Sequence, residues 1–298
     1  MMIDLRHGDC LEKMKELESK SVDLILCDPP YELNFMNRGW DDTGIAFNSD
    51  MWKEVYRLLK DDGYLMAFSG TRTYHRMAKA IEEAGFEIVG LTDYTYGNGF
   101  PKALSIDKAL DKLLGAEREV IGKSKWSQPA KSGHFGGLAG DNIQETEGRY
   151  TPNITAPSSD IAKLYEGYKT SLKPSHETIV IARKISDNNV APINFSPFVY
   201  CAKASKKERN SDVYGNNIDI NNHPTVKPLK IIQELFKQAI DKEEMVVLDM
   251  FAGSGTTGVA IEKFNIETGS NHTCILIEKE KEYAEIIKKR CCLEEGLN

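Results

Sequence analysis

An open, mainly parallel α/β sheet with helices on both faces is the fold this 298-residue sequence predicts. Three observations predict it. Short apolar runs bounded by turn residues alternate with amphipathic stretches of helical period through the first hundred residues, and again after residue 222. Near the C-terminal end a glycine-rich stretch, "AGSGTTG", joins an apolar run to a helix, the junction that in such sheets faces a ligand. Hydrophobic residues make up 41% of the chain, enough to bury a sizeable core.

Taken in order, "IDLRHG" reads as a short strand, "CLEKMKELES" as an amphipathic helix and "SVDLILC" as a buried strand. "DMWKEVYRLLKDDG" reads as a helix closed by Gly63, "YLMAFSG" as a strand, "TYHRMAKAIEEAG" as a helix closed by Gly85, and "FEIVGLTDYTY" as a strand. From 98 to 177 the pattern breaks into an insertion with one clear helix, "SIDKALDKLLG", among Gly-, Ser- and Pro-rich sequence. Residues 178–184 return to strand, and 185–222 are irregular and Asn-rich. Segment 223–298 then supplies the helix of "HPTVKPLKIIQELFKQAI", the strand "MVVLDMF", the glycine turn and its helix, the strand "TCILIE" and a last helix. Seven strands result: 3–7, 22–27, 64–69, 86–94, 178–183, 246–250 and 274–278.

Charge and composition narrow the function. A net charge of −7 argues against coating nucleic acid nonspecifically and leaves room for a local basic groove. No run approaches the roughly 18 apolar residues of a membrane span, and "MMIDLRHGDC" is not a signal peptide, so a cytoplasmic protein is expected. Six cysteines without C-x-x-C spacing read as reduced thiols, with no metal site.

Two stretches carry chemistry. In "VDLILCDPPY" a buried strand ends in an acid, two prolines and an aromatic ring. The prolines lock the backbone and remove N–H donors, leaving a carboxylate, rigid carbonyls and a flat ring within one turn. In "VVLDMFAGSGTTGVA", Gly253, Gly255 and Gly258 fit G-x-G-x-x-G between strand and helix. No Lys follows the last glycine, so this is not a P-loop; a plain tight turn is the alternative. Glu278 ends the next strand, placed to accept from ribose hydroxyls or, otherwise, to favour the start of the last helix. It lies 29 residues after Asp249 rather than the usual ~20, and the hydrophilic 265–273 accounts for the difference.

The order of these stretches is informative. A nucleotide-binding fold normally opens with its glycine loop, yet only 40 residues follow Gly258. The partner strands must come from earlier in the chain. If the first strand continues where the last one stops, the sheet closes in circularly permuted order. Asp9 then lies beside Glu278, and the "DPPY" corner lies beside the glycine loop.

With that order, the chain resembles the beta class of S-adenosylmethionine-dependent DNA amino methyltransferases, the N-4/N-6 methylases, and especially phage and prophage members. "GDCLEKMKEL", "GNGFPKALSIDKALDK", "SLKPSHETIVIARK", "YCAKASKKERN", "HPTVKPL" and "LDMFAGSGTTG" carry the likeness across nearly the whole chain. "DPPY" alone is shared by RNA and DNA methylases; its conjunction with the permuted order is specific. The resemblance implies a Rossmann-like methyltransferase fold and S-adenosylmethionine as cofactor. It implies Asp28, Pro29, Pro30 and Tyr31 as catalytic. For the cofactor it implies Asp249, Phe251, Ala252, Gly253, Ser254, Gly255, Thr256 and Thr257, with Asp9 and Glu278 at its nucleoside and Thr225, Lys227 and Pro228 near its amino-acid end.

The implied substrate is the N6 amine of an adenine flipped out of double-stranded DNA. Cytosine N4 is the alternative, because one corner serves either exocyclic amine; an acid in first place goes mostly with adenine. Methylases of RNA or of a protein amide share the chemistry, but those acting on glutamine carry Asn where Asp28 stands. A dinucleotide oxidoreductase would leave "DPPY" unexplained and lacks a second nucleotide-binding half. DNA contacts are expected from Lys203, Lys206, Lys207 and Arg209 in "KASKKER", which otherwise reads as a solvated surface run, and from the 98–177 insertion. Members of this class often dimerise and serve restriction–modification in bacterial or phage-infected cells, so a homodimer is one expected assembly.

Overall fold

The computed structural model describes residues 2–33, 43–97, 104–123, 128–129, 149–150, 153–170, 174–185, 195–218 and 221–293. These divide into two compact units, one of residues 1–97 and 175–298 and one of residues 98–174.

The larger unit is built on β1 (Ile3–His7), α1 (Cys10–Lys15), β2 (Val22–Cys27), α2 (Ser49–Leu58), β3 (Leu59–Ser69), α3 (Tyr74–Glu83) and β4 (Glu87–Thr95). After the smaller unit come β9 (His176–Arg183), β10 (Phe198–Tyr200), α6 (Lys206–Arg209), α7 (Leu229–Ala239), β11 (Val246–Asp249), α8 (Thr256–Thr268), β12 (Thr273–Glu278) and α9 (Lys281–Arg290). The strands form one sheet in the order β1-β12-β11-β2-β3-β9-β4-β10. All seven predicted strands are present. The eighth, β10, extends the sheet parallel to β4 and was hidden by its three-residue length in irregular sequence.

The permuted closure is observed. β1 pairs in parallel with β12, setting His7 opposite Glu278, and the Gly8 N–H donates to the Glu278 carbonyl at 2.9 Å. β11 lies between β12 and β2. The sheet is parallel except at β9, which runs against both β3 and β4. The start of β9 therefore lies at the edge where the parallel strands end.

Alternation explains why β2 is buried along its whole length. Ile25 and Cys27 pack with Met51, Trp52, Val55 and Ile81 of α2 and α3. Leu24 and Leu26 pack with Ile231, Leu235, Phe236 and Val259 of α7 and α8. Successive side chains of a strand point to opposite faces, so one apolar run serves two helical layers. No described helix is long and apolar enough to cross a membrane.

One expected helix end is corrected. α2 stops at Leu58 and Gly63 lies within β3, so Gly63 is not a helix cap. The capping is done by Lys184, whose ammonium donates to the carbonyls of Tyr56 at 3.0 Å and Leu59 at 2.8 Å. Gly63 serves close packing instead: a Cβ there would lie 2.9 Å from the Asp23 carbonyl oxygen and 2.8 Å from Leu59 Cγ. Because backbone cannot swing aside, Gly63→Ala is expected to destabilise the protein by about 1–3 kcal/mol in urea unfolding. Gly85 does follow its helix as expected, with φ +107°.

The smaller unit holds α4 (Ile106–Leu113), β5 (Val120–Lys123), β6 (Gln128–Pro129), β7 (Arg149–Tyr150), β8 (Asn153–Thr155) and α5 (Asp160–Leu164). It is more ordered than one helix among loops. Buried Asp111 accepts from the Ser158 and Ser159 N–H groups at 3.0 and 2.9 Å, from the Ser159 hydroxyl and from Arg118. Burial alone would raise its pKa, but these donors hold Asp111 at about 2. The insertion also ends earlier than 177. His176 and Glu177 already belong to β9, because Glu177 pairs with Tyr94 of β4.

Candidate active site

β2 delivers the corner. Its register with β11 sets Leu24 opposite Val247 and Ile25 opposite Leu248, so Asp28 leaves the sheet at the same edge as Asp249 and the glycine turn. Pro29 and Pro30 fix the backbone there. Asp28 Oδ2 is ion-paired with Lys227 Nζ, while Asp28 Oδ1 is buried and has no hydrogen-bond partner among the described residues.

Lys227 stands just before α7, whose N-cap is Pro228. Its ammonium also lies 3.3 Å from Glu177 Oε2, which accepts the Tyr31 hydroxyl at 2.8 Å. The same ammonium lies 5.2 Å from the centroids of both the Tyr31 and Phe68 rings. One cation thus serves two carboxylates at a partly buried corner. Burial pushes the Asp28 carboxyl above its ordinary value despite the opposing pull of Lys227. Burial also works against the Lys227 ammonium, but the two carboxylates hold its pKa above that of a free lysine. Lys227, expected near the cofactor's amino-acid end, is thus engaged at the corner itself.

The glycine loop is shaped from behind. Gly253 and Gly255 take left-handed φ of +53° and +77°, which glycine adopts without strain. A Cβ on Gly253 would come within 3.0 Å of His223 Nε2. Asp249 accepts the Phe251 N–H at 3.0 Å and the Thr257 hydroxyl at 2.6 Å. Glu278 accepts the Gly253 N–H at 2.7 Å and the Glu280 N–H at 2.8 Å. Burial pushes both carboxyls up to about 7. Buried Arg290 donates to the Ser254 carbonyl at 2.9 Å and to the Ser254 and Thr256 hydroxyls at 3.1 Å. Ala252 is also buried, and Phe251 packs against the core.

Asp9 stands two residues beyond β1 on the same edge. It caps α1 by accepting the Leu11 N–H at 3.0 Å and lies 3.3 Å from Lys279 Nζ. Thr225 is exposed, its N–H donating to His223 Nδ1 at 3.4 Å.

A sequence model of the family described as "DNA methylase" matches residues 22–289 of the chain. The chain belongs to this DNA methylase family. Type II methyltransferase M.HinfI of Haemophilus influenzae is 24% identical over 302 residues, covering 95% of the chain. The StyLTI Mod subunit of a type III restriction-modification enzyme, from Salmonella typhimurium, is 25% identical over 349 residues, covering 90% of the chain. The chain spans less than two-thirds of each relative's length, 66% and 51%. Among solved structures, that of an M1.HpyAVI–SAM complex aligns with 97% of the chain and 98% of its own length, at TM-score 0.54 and 20% identity. Its likeness establishes the Rossmann-like methyltransferase fold.

Within this DNA methylase family member, the sheet edge brings together the Asp28–Tyr31 corner, Lys227 and the Asp249–Thr257 loop, with Asp9 and Glu278 at neighbouring strand ends. The basic run is divided. Lys206 and Lys207 are exposed on α6 and Lys203 Nζ lies 4.3 Å from the Tyr96 ring centroid, whereas Arg209 turns inward to donate to the His223 carbonyl. Glu177 and Arg290 were not anticipated.

The Asp249 geometry sets a pH dependence for the cofactor-free protein. Its folded pKa of about 7 exceeds the ordinary carboxylate value of 3.8, so the folded state holds a proton the unfolded chain releases. Its contribution to stability is complete below about pH 4 and is lost as pH rises through 7. Asp249→Asn removes it at little structural cost, because the Thr257 hydroxyl can turn to accept from the amide. Comparing urea unfolding at pH 5 and 7.5, the variant is expected to lose about 2 kcal/mol less than the parent.

Proposed function

We propose that the chain transfers a methyl group from S-adenosylmethionine to the N6 amine of an adenine flipped out of double-stranded DNA. The observation that carries this reading is Asp28: a partly buried carboxylate with one oxygen held by Lys227 and the other buried without a partner among the described residues, a single strand from the glycine loop.

The residues present fit the cofactor. Gly253 and Gly255 offer backbone unencumbered by side chains, and α8 opens there with first-turn N–H groups that no helical carbonyl takes up. Acids at the ends of β12 and just beyond β1, Glu278 and Asp9, suit ribose hydroxyls. Phe251 to Gly255, Glu278, Asp9 and Thr225 would hold the cofactor. Asp249, Thr256, Thr257 and Pro228 would shape the walls. When bound, S-adenosylmethionine supplies a methyl group on cationic sulfur.

The chain's own residues then act on the amine. Asp28 Oδ1 and the Pro29 carbonyl accept its two hydrogens, drawing the nitrogen toward tetrahedral geometry and freeing its lone pair. Tyr31 stacks against the base. As the nitrogen gains positive charge, the Asp28 carboxylate opposes it and receives the surplus proton. Lys227 opposes the burial that pushes the Asp28 carboxyl up and holds it in place. Lys203, Lys206 and Lys207 are the proposed phosphate contacts, giving binding that weakens with salt.

The choice of adenine rests on the acid in first place of "DPPY" and the habit of the family it resembles. Nucleoside mass spectrometry on duplex DNA incubated with protein and S-adenosylmethionine is expected to show N6-methyladenine. N4-methylcytosine alone would replace the base and keep the reaction. Methylated RNA or protein, with unmodified DNA, would replace the substrate class.

A further inference from the structure

The corner holds a second carboxylate that the proposed chemistry does not use. Glu177 is the second residue of β9, fixed by pairing opposite Tyr94, while the next residue, Thr178, pairs with both Ser69 and Asp93. Its Oε2 receives the Tyr31 hydroxyl and faces Lys227 Nζ. Satisfying a phenol needs only a neutral oxygen. A buried charge there is costly unless it has a use, and Lys227 is already paired with Asp28.

Two consequences follow from its place. Asp28 and Glu177 both act on the Tyr31 phenol, and it is Glu177 that receives its hydrogen. Glu177 also adds an acidic group at Lys227, whereas Asp28 and Lys227 alone would pair one to one. A target amine gaining positive charge is stabilised by that added acid. Among the described residues, the charged and titratable groups facing the pair include Lys227, Lys203, Asp249 and the Cys27 thiol, with the phenols of Tyr31, Tyr94 and Tyr96.

We propose that Glu177 is a positioning residue for methyl transfer: by sharing Lys227 and holding the Tyr31 hydroxyl, it leaves Asp28 with an open oxygen and uncancelled charge for the target amine. This rests on the amine methyltransferase reading above.

Glu177→Gln keeps the side chain's shape and an acceptor for Tyr31 but removes the charge. The full chain is assayed on duplex DNA with S-adenosylmethionine across pH, with cofactor affinity measured separately. A kcat lower by on the order of 100-fold is expected, with KM and cofactor Kd nearly unchanged. The acid limb of the kcat profile should move to lower pH, because Asp28 loses a like-charged neighbour. Wild-type kcat, or a reduced kcat with an unmoved limb, overturns the proposal. Should the Gln variant not fold, Glu177→Asp is read instead: charge retained on a shorter stem should lower kcat and leave the limb in place, and a moved limb overturns the proposal.

If the parent protein methylates no DNA, the function reading fails by itself. Lysine-Nζ NMR of Lys227 then tests the charge sharing directly. Its titration should move to lower pH in Glu177→Gln, and an unmoved titration overturns the inference.

Discussion

Asp28→Ala lowers methyl transfer by at least about 100- to 1,000-fold while S-adenosylmethionine affinity changes little. On the proposed mechanism the substitution removes the acceptor that polarises the amine and the base that takes its proton, both at the corner after β2. The cofactor's proposed partners are elsewhere, on the glycine loop, Glu278 and Asp9. Lys227 keeps Glu177 as a counter-ion at 3.3 Å, so the variant is expected to fold. Single-turnover methylation and calorimetric titration of cofactor measure the two effects separately. Turnover near the wild-type rate would remove Asp28 from the mechanism. Loss of cofactor binding as large as the loss of turnover would move it into the cofactor site.

Lys227→Met acts on stability as well as activity. Asp28 and Glu177 would then face each other at a partly buried corner without their shared cation. Breaking a buried ion pair by removing one partner costs about 3–5 kcal/mol, because the remaining charge is left uncompensated. The loss should depend on pH in a defined direction. Without Lys227, one carboxyl of the pair has its folded pKa raised above the unfolded value, so the folded state takes up a proton. The variant therefore regains stability as pH falls and is weakest at alkaline pH. Urea unfolding at pH 8 and pH 5.5 checks this. A loss below about 1 kcal/mol at pH 8 would mean that solvent compensates the pair. Methyl transfer should fall with it, since Asp28 is no longer held in place.

The two stretches that meet at the sheet edge were legible because each is local. Asp28 to Tyr31 and Gly253 to Thr257 are contiguous, and each combines residue types that a plain turn does not need. The permuted closure was legible because too few residues follow Gly258 to supply a sheet. Glu177 was not legible: "HETIVIAR" reads as a strand with polar first residues, and nothing in its alternation reveals that β9 runs opposite to its neighbours. Direction alone puts Glu177 at the reactive edge. Arg290 reads as the basic last turn of an amphipathic helix, a favourable place for any cation. Its burial behind Ser254 and Thr256 depends on packing between α9 and a loop more than thirty residues earlier in the chain. Gly63 misled because a glycine after a helical pattern usually caps it, and here Lys184, from a distant strand end, took that place.

The pairing of β1 with β12 also sets a timetable. β1 has as its sheet neighbour, among the described residues, a strand made far later in synthesis: Ile3 waits for Cys274. Lys227 and the glycine loop emerge late as well, long after the corner they support. A growing chain can lay β2, β3, β9 and β4 together beforehand, but its edge at β2 stays open until β11 arrives to cover it. Pairings so distant in sequence make for slow folding and for a partly made sheet that exposes unpaired backbone. The emerging chain thus passes through a period when its reactive corner exists without its counter-ion and its sheet can join the wrong partner. Chaperone protection during translation matters most in that interval, and any nascent chain interrupted there is both inert and prone to aggregate.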